Sequence, residues 1–269
     1  MITDDIQKEL RSKYNPDGSD LRKQQLRMLE MLKQFDRFCK DFKITYWLTA
    51  GTLLGAVRHK GFIPWDDDLD LDVLRSDYEK LVSHRHELKK YGLILQDFKS
   101  DSEYIAPFAK LRDTKSEIHE IHHNDLYYKY RGIWIDIFVR ERTSFITSKI
   151  SHILQYISYK LTKFSNAAIR KYFKVICYNC LHNGIFPLLT LSDKLLYHSK
   201  KYRYEMGYGF YDYIYLDDTL PTKLIEFENG FFPAPKNYDK ILKDRYGDYK
   251  QLPSCGDFKV HYDKILFFD

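Results

Sequence analysis

Five aspartates, Asp66, Asp67, Asp68, Asp70 and Asp72, crowd into seven consecutive positions. Carboxylates this close repel one another, and an ordinary strand does not select them. A bound cation removes the repulsion. From Leu69 to Leu74 the chain alternates aliphatic residues with aspartate, the two-residue period of a β-strand. On such a strand Asp68 and Asp70 project to one face, placed to grip one or two hard cations through oxygen. Asp72 shares that parity farther along, while Asp66 and Asp67 precede the strand.

Upstream, Gly51 and Thr52 stand between a strand-like run, Ile44–Leu48, and a short helix reaching Arg58. A glycine there lets backbone N–H groups approach an anion. The helix N-terminus adds its dipole and the threonine adds a hydroxyl. A phosphate cradle thus precedes a metal-binding strand by one helix and one loop, the layout for in-line phosphoryl transfer between two metals. A further carboxylate is expected on a neighbouring strand. Asp136 fits, as the lone acid within Trp134-Ile135-Asp136-Ile137-Phe138, because a buried acid is costly unless paired or metal-bound.

Positioning these groups requires a sheet and helices to cover it. Leu26, Leu29, Leu32, Phe35, Phe38 and Cys39 recur at helical spacing, predicting an amphipathic helix over Leu21–Phe42. Ser76 is placed to cap a helix running to Lys90. Strand-like runs follow at Leu93–Phe98, Tyr104–Leu111, Glu117–His122 and Gly132–Val139. Near Arg140 the character changes. Residues 145–206 read as two or three helices with ten basic and two acidic side chains, and after Gly207 the chain is turn-rich and aromatic. The expected organisation is an α/β (α+β) core over 1–142, a basic helical insertion over 143–206, and a segment over 207–269 that returns to the core.

Composition excludes several classes. A net charge of +5 without a basic tail or zinc-finger pattern argues against a nucleic-acid partner. Four cysteines are too few for a disulfide framework at 269 residues, and Cys177-x-x-Cys180 lacks the second pair of a zinc site, so two buried thiols are expected. His119 and His122 fall on opposite faces of a strand, so these two and His123 are expected to form no metal site. The polar start, Met1–Asn15, is no signal peptide, and no run approaches ~18 apolar residues. A cytoplasmic protein is expected. Lys149, Lys160, Lys163, Arg170, Lys171 and Lys174 lie among apolar residues at helical spacing. They suit either the anionic cytoplasmic face of a membrane or a solvated basic surface.

The stretch GTLLGAVRHKGFIPWDDDLDLDV, Gly51–Val73, closely resembles the signature of the LicD family within the nucleotidyltransferase superfamily. That family includes bacterial phosphocholine transferases, with fukutin-related ribitol-phosphate transferases as relatives. AKLRD at Ala109–Asp113, WIDIF at Trp134–Phe138 and Phe227–Pro253 are similar to further family blocks. Thr52 stands where many superfamily members carry serine, and either supplies a hydroxyl. The resemblance covers roughly Leu26–Val139 and Tyr208 onward, and Thr143–Met206 shows none. It implies a nucleotidyltransferase-like mixed sheet flanked by helices. It implies Asp68, Asp70 and Asp136 as ligands of Mg²⁺ or Mn²⁺, two ions being expected, with Gly51 and Thr52 holding donor phosphates. Arg58 and Lys110 are candidates to neutralise the diphosphate, or else surface or salt-bridge bases; Arg112 is a weaker candidate. Trp65 would stack on the donor or plug the core. The implied donor is a CDP-alcohol such as CDP-choline. The implied acceptor is a sugar hydroxyl of a lipid-linked or free cell-surface glycan, such as a teichoic acid or lipopolysaccharide precursor. Tyr127–Tyr130 and Tyr208–Tyr215 are candidates to cage a choline, or else plain tyrosine faces. A nucleotidyltransferase that releases pyrophosphate, and an inactive scaffold in glycan assembly, are the competing readings.

Overall fold

The computed structural model describes residues 2–121, 124–197, 200–253, 260 and 262–268. Helix α1 (Asp4–Tyr14) leads into the long α2 (Asp20–Phe42), whose N-cap Ser19 accepts the Arg22 N–H. There follow β1 (Tyr46–Leu48), α3 (Ala50–His59), β2 (Asp70–Leu74), α4 (Arg75–Ser83), β3 (Leu93–Gln96), β4 (Ala109–Asp113), β5 (Ser116–Glu120) and β6 (Trp134–Arg142). The helical span is α5 (Phe145–Leu161), α6 (Ala167–Tyr178), a π-helical stretch Asn179–Ile185, and α7 (Phe186–Leu196). Last come β7 (Lys201–Tyr204), β8 (Tyr213–Tyr215), α8 (Leu216–Thr219), the β9–β10 hairpin (Lys223–Phe227, Gly230–Ala234), α9 (Tyr238–Tyr246) and β11 (Tyr262–Phe267).

The main sheet runs β1-β2-β6-β4-β3. Strands β2 and β6 are parallel and the other neighbours antiparallel. Strand β6 is long enough to pair β4 along its first half and β7 along its second, and β8 extends β7. The mixed sheet with flanking helices is the architecture expected. The end of the basic helical span, β7, belongs to this sheet.

Side-chain alternation gives the sheet two unlike faces. Leu48, Leu71, Val73, Leu111, Ile135, Ile137 and Val139 point one way into a core shared with the apolar stripe of α2, including Leu32, Phe35 and Phe38. The opposite parity carries Asp70 and Asp72 on β2, Asp136 and Arg140 on β6, and Lys110 and Arg112 on β4. Apolar burial therefore fixes the register, and the register fixes which acids stand together.

Some local expectations change. The strand begins at Asp70, so Asp68 sits in the preceding loop. The run from Tyr104 becomes a strand only over Ala109–Asp113. Helix α4 is preceded by Leu74 with no side-chain cap, so Ser76 does not cap it. It ends at Ser83, and a 3₁₀ turn at Glu87–Tyr91 then buries Leu88. Cys39 is buried, but Cys177 is half-buried and Cys180 exposed, because the apolar side of their helix faces outward. Cys255, His122 and His123 lie outside the described residues.

Beyond the acids the polar face is braced by a buried ion pair. Arg140 Nε donates to Asp72 Oδ2 at 2.7 Å, and the guanidinium lies 3.5 Å from the Tyr204 ring centroid. Both partners are fully buried. Asp72→Ala leaves buried Arg140 with only the longer ion pair to Asp212, at 3.5 Å, and should cost about 3–5 kcal/mol in urea denaturation. Asp72→Leu with Arg140→Met should recover much of that loss. A single-variant loss under about 1 kcal/mol would contradict this bracing role.

Candidate active site

Three adjacent strands set Asp70, Asp136 and Lys110 in one row, since Asp136 faces Asp70 on one side and Lys110 on the other. Lys110 Nζ stands 3.5 Å from Asp136 Oδ1 and 3.7 Å from the Trp134 ring centroid. Burial lowers the Lys110 pKa, and Asp136 opposes that shift. The Asp70 carboxyl is pushed well above the usual carboxylate range, first by burial and then by Asp68 and Asp136. Asp66 is raised in the same way, by burial and then by Asp68, to which it is hydrogen-bonded. Four carboxylates thus press on one another at the open end of β2.

Helix α3 ties this loop to the strand. Thr52 Oγ1 accepts the Asp70 N–H at 2.8 Å, which leaves the threonine its own proton to donate. Ala50, at the start of the helix, takes φ 45°, a left-handed conformation that a non-glycine residue adopts at a cost. At Gly51 an added Cβ would stand 2.8 Å from Asp66 Oδ2. The Asp66 carboxyl therefore approaches Gly51 closely from the acid loop.

Two residues that sequence reasoning missed hold the acid loop from beneath. Gln24 Nε2 donates to the Asp67 carbonyl and Gln25 Nε2 to that of Asp66, each at 2.8 Å. Both glutamines are almost fully buried. The available signal was Gln25 occupying a position in the apolar stripe of α2, between Leu21 and Leu29. The C-terminal block acts at one remove. Glu228, in the β9–β10 turn, binds Arg22 and the Phe62 N–H, and lies so close to Gly61 that a Cβ there would strike it.

Arg58 and Trp65 stand outside the row Asp70–Asp136–Lys110, although the Arg58 charge acts on the Asp66 carboxyl. The Arg58 guanidinium donates to the carbonyls of Tyr249 and Gln251 and to His59 Nε2, so it clamps the C-terminal segment. Trp65 packs edge-on against Tyr14 at 5.3 Å and against His59. Arg112 is fully buried, donating to Gln96 Oε1 and the Gly132 carbonyl. His119 faces Glu117 and Asp125.

Lys110 and Tyr208 open into a cavity of about 710 Å³ walled by the 103–108 loop, by α5 and α6, and by residues 207–209. Burial, then Tyr204, Asp136 and Asp70, raise the Tyr208 pKa. Its ring meets those of Phe108, Phe138, Tyr204 and Phe210 at 4.8–5.5 Å between centroids. Tyr127 and Tyr128 line the same cavity, with Arg170 lying 3.6 Å over the Tyr127 ring. Tyr211, Tyr213 and Tyr215 line a separate groove.

The donor set suits a hard divalent cation, being oxygen only and carrying more negative charge than Lys110 offsets. Asp136 Oδ1 is buried without a hydrogen-bond partner. Among the described residues no three acid, histidine or cysteine side chains already converge on one point, so holding an ion requires the carboxylates to turn onto it.

Residues 43–170 match the family model described as LicD/FKTN/FKRP, nucleotidyltransferase domain. The matched span holds the whole acid row. It also runs through α5 into α6, so the first part of the helical span lies inside the family's domain. Over 90% of its length the chain is 28% identical to the lipopolysaccharide cholinephosphotransferase LicD of Haemophilus influenzae, covering 96% of that protein. A shorter stretch of 34 residues, 13% of the chain, is 53% identical to 7% of the human ribitol 5-phosphate transferase FKRP. Over 53 residues, 20% of the chain, it is 38% identical to 12% of the mouse ribitol-5-phosphate transferase FKTN.

The clamp behind the site has a pH signature. His59 accepts from Arg58, and its Nδ1 stands 2.7 Å from Gln7 Oε1, an arrangement of the neutral ring. Burial, followed by the charges of Arg58 and Arg11, pushes its pKa from 6.5 down to about 3. The unfolded chain therefore takes up this proton first, and stability falls as pH drops from 6.5 towards 3. The slope from this one group is about 1.4 kcal/mol per pH unit. In denaturation titrations from neutral to acidic pH, His59→Gln should flatten that slope; an unchanged slope would show that His59 does not supply it.

Proposed function

We propose, from the premise that the chain carries a LicD-family nucleotidyltransferase domain, that it transfers a phospho-alcohol group from a CDP-alcohol onto a sugar hydroxyl of a cell-surface glycan precursor. Phosphocholine from CDP-choline is the donor we favour. The observation that carries this reading is the row Asp70–Asp136–Lys110 at the edge of a cavity with a cluster of aromatic rings. An acid row alone would serve many phosphoryl transfers. The adjoining rings offer faces to a quaternary ammonium, which such rings attract.

In this reading Asp68, Asp70 and Asp136 hold Mg²⁺ or Mn²⁺. Bound there, the metal polarises the diphosphate and lowers the pKa of the acceptor hydroxyl. The chain's own groups do the rest. Lys110 turns from Asp136 to a phosphate oxygen as the carboxylate is taken up. Tyr208, with Phe108 and Phe138, seats the head group beside the reacting phosphorus. Asp136 takes the hydroxyl proton as the acceptor oxygen bonds to the head-group phosphorus and the bond to CMP breaks. Gly51, by admitting Asp66 against α3, keeps the acid loop close to the strand. The name of the Haemophilus influenzae relative points to lipopolysaccharide as the class of acceptor. In this reading the protein works at the cytoplasmic side.

Purified chain incubated with CDP-choline, Mg²⁺ and a glycan acceptor should release CMP. Pyrophosphate in its place would make the chain an ordinary nucleotidyltransferase, and no turnover of any CDP-alcohol would favour a scaffold. Asp70→Asn and Asp136→Asn should each lower kcat/KM by about 10²–10³-fold. Mg²⁺ should raise the melting temperature of the parent but not of Asp70→Asn, and equal shifts would remove Asp70 from the ligand set. Tyr208→Leu should raise KM for CDP-choline about tenfold while sparing CDP-glycerol. Equal losses for both donors would deny the ring a part in head-group selection.

A further inference from the structure

Helices α5 and α6 are inverted relative to ordinary surface helices, and α7, which buries Phe186 and Asp193, turns most of its leucines outward as well. The buried side chains of α5 are Thr147, Ser148, Ser151, Gln155 and Ser158, and those of α6 are Arg170 and Lys174. These polar groups are satisfied inward. Ser151 Oγ accepts the Gly207 N–H, Gln155 donates to the Ile105 carbonyl, and Arg170 and Lys174 bind Glu103. The apolar cluster beneath the helices is small, centred on Leu181, Phe186 and Met206.

The outward faces are the hydrophobic ones. On α5, Ile146, Ile150, Ile153, Ile157 and Leu161 recur at helical spacing, and Ile146 is 57% exposed. Ile169, Tyr172, Phe173 and Ile176 do the same on α6. On α7, Leu188, Leu191, Leu195 and Leu196 complete the surface, the last two at 70% and 75%. Outward apolar stripes on three neighbouring helices are the kind of exposed surface that marks an interaction site.

The charges around these stripes have one sign. The exposed charged residues of 145–197 are Lys149, Lys160, Lys163, Lys171 and Lys194, while the sole acid there, Asp193, is buried. Lys149, Lys160 and Lys163 each lie over an aromatic ring four residues earlier, Phe145, Tyr156 and Tyr159. Long basic stems lying along rings beside an apolar stripe suit the boundary between acyl chains and anionic headgroups. Among the described residues no helix is long and apolar enough to cross a membrane.

We infer that the outward face of α5–α7 lies in the surface of an anionic lipid bilayer. A second copy of the chain would offer another cationic face, and like charges would oppose that pairing. The inner sides of α5 and α6 wall the cavity beside the acid row, so a bilayer-held acceptor would reach it without leaving the membrane. That last consequence rests on the proposed transfer; the lipid surface itself does not.

Flotation of the full chain with phosphatidylcholine vesicles, with and without phosphatidylglycerol, tests the surface. The chain should float, and more strongly with the anionic lipid. Ile153→Glu with Ile157→Glu should reduce the floated fraction about tenfold. Lys160→Glu with Lys163→Glu should abolish the preference for phosphatidylglycerol. Turnover of CDP-choline on a water-soluble acceptor should be unchanged in the isoleucine variant, which shows that it is folded and separates this surface from the chemistry. The inference is overturned if the parent stays unbound or if the isoleucine variant floats as well as the parent. It is equally overturned if the parent elutes as a dimer that this variant converts to a monomer.

Discussion

The parallel pairing of β2 with β6 sets two carboxylates, Asp70 and Asp136, side by side on the buried polar face of a sheet. Nothing in that pairing is favourable to the acids themselves. Burial and mutual repulsion both push the Asp70 carboxyl towards its neutral form. The register persists because the alternate residues, Leu71, Val73, Ile135 and Ile137, complete the core against α2. A slip by one residue would bury the acids among those leucines and isoleucines. Hydrophobic burial on one side therefore enforces an electrostatic conflict on the other.

Around this conflict the chain places charges and donors in layers. Lys110 meets Asp136 directly, and Arg140 holds Asp72 one pair farther along β2. Gln24 and Gln25 pin the carbonyls of the acid loop from inside α2, and Thr52 fixes the first residue of β2. Glu228 reaches back from the C-terminal hairpin to Arg22 and Phe62, so distant parts of the sequence hold one loop. Such packing fixes the backbone of the acid loop and of β2, while the carboxylates themselves stay able to turn onto a charged ligand.

Much of this was legible in the sequence wherever a period carried it. The 3.6-residue stripe of Leu21–Phe42 and the alternation after Leu69 give α2 and β2 to within a residue or so. The lone acid of WIDIF marks Asp136. Partners in space were not legible. Arg58 read either as a base for the diphosphate or as a salt-bridge base, and the carbonyls it binds, 191 and 193 residues away, were not visible in the sequence. The approach of the Asp66 carboxyl to Gly51 was likewise not visible in the sequence. Asp68 read as a strand residue because strand parity was carried one step too far. The basic helices read as amphipathic, but periodicity alone does not tell which face turns inward; Ser151, Gln155 and Arg170 settle that only through their tertiary partners.

The central claim is that the acid row and its cavity bind a CDP-alcohol through a divalent metal. Calorimetric titration of the parent and Asp70→Asn with CDP-choline, CDP-ethanolamine, CDP-glycerol and CDP-ribitol, in Mg²⁺ and in chelator, tests it most directly. CDP-choline should bind in Mg²⁺, and that binding should disappear both in chelator and in Asp70→Asn. Equal binding with and without metal, or no binding of any CDP-alcohol by the folded parent, would contradict it.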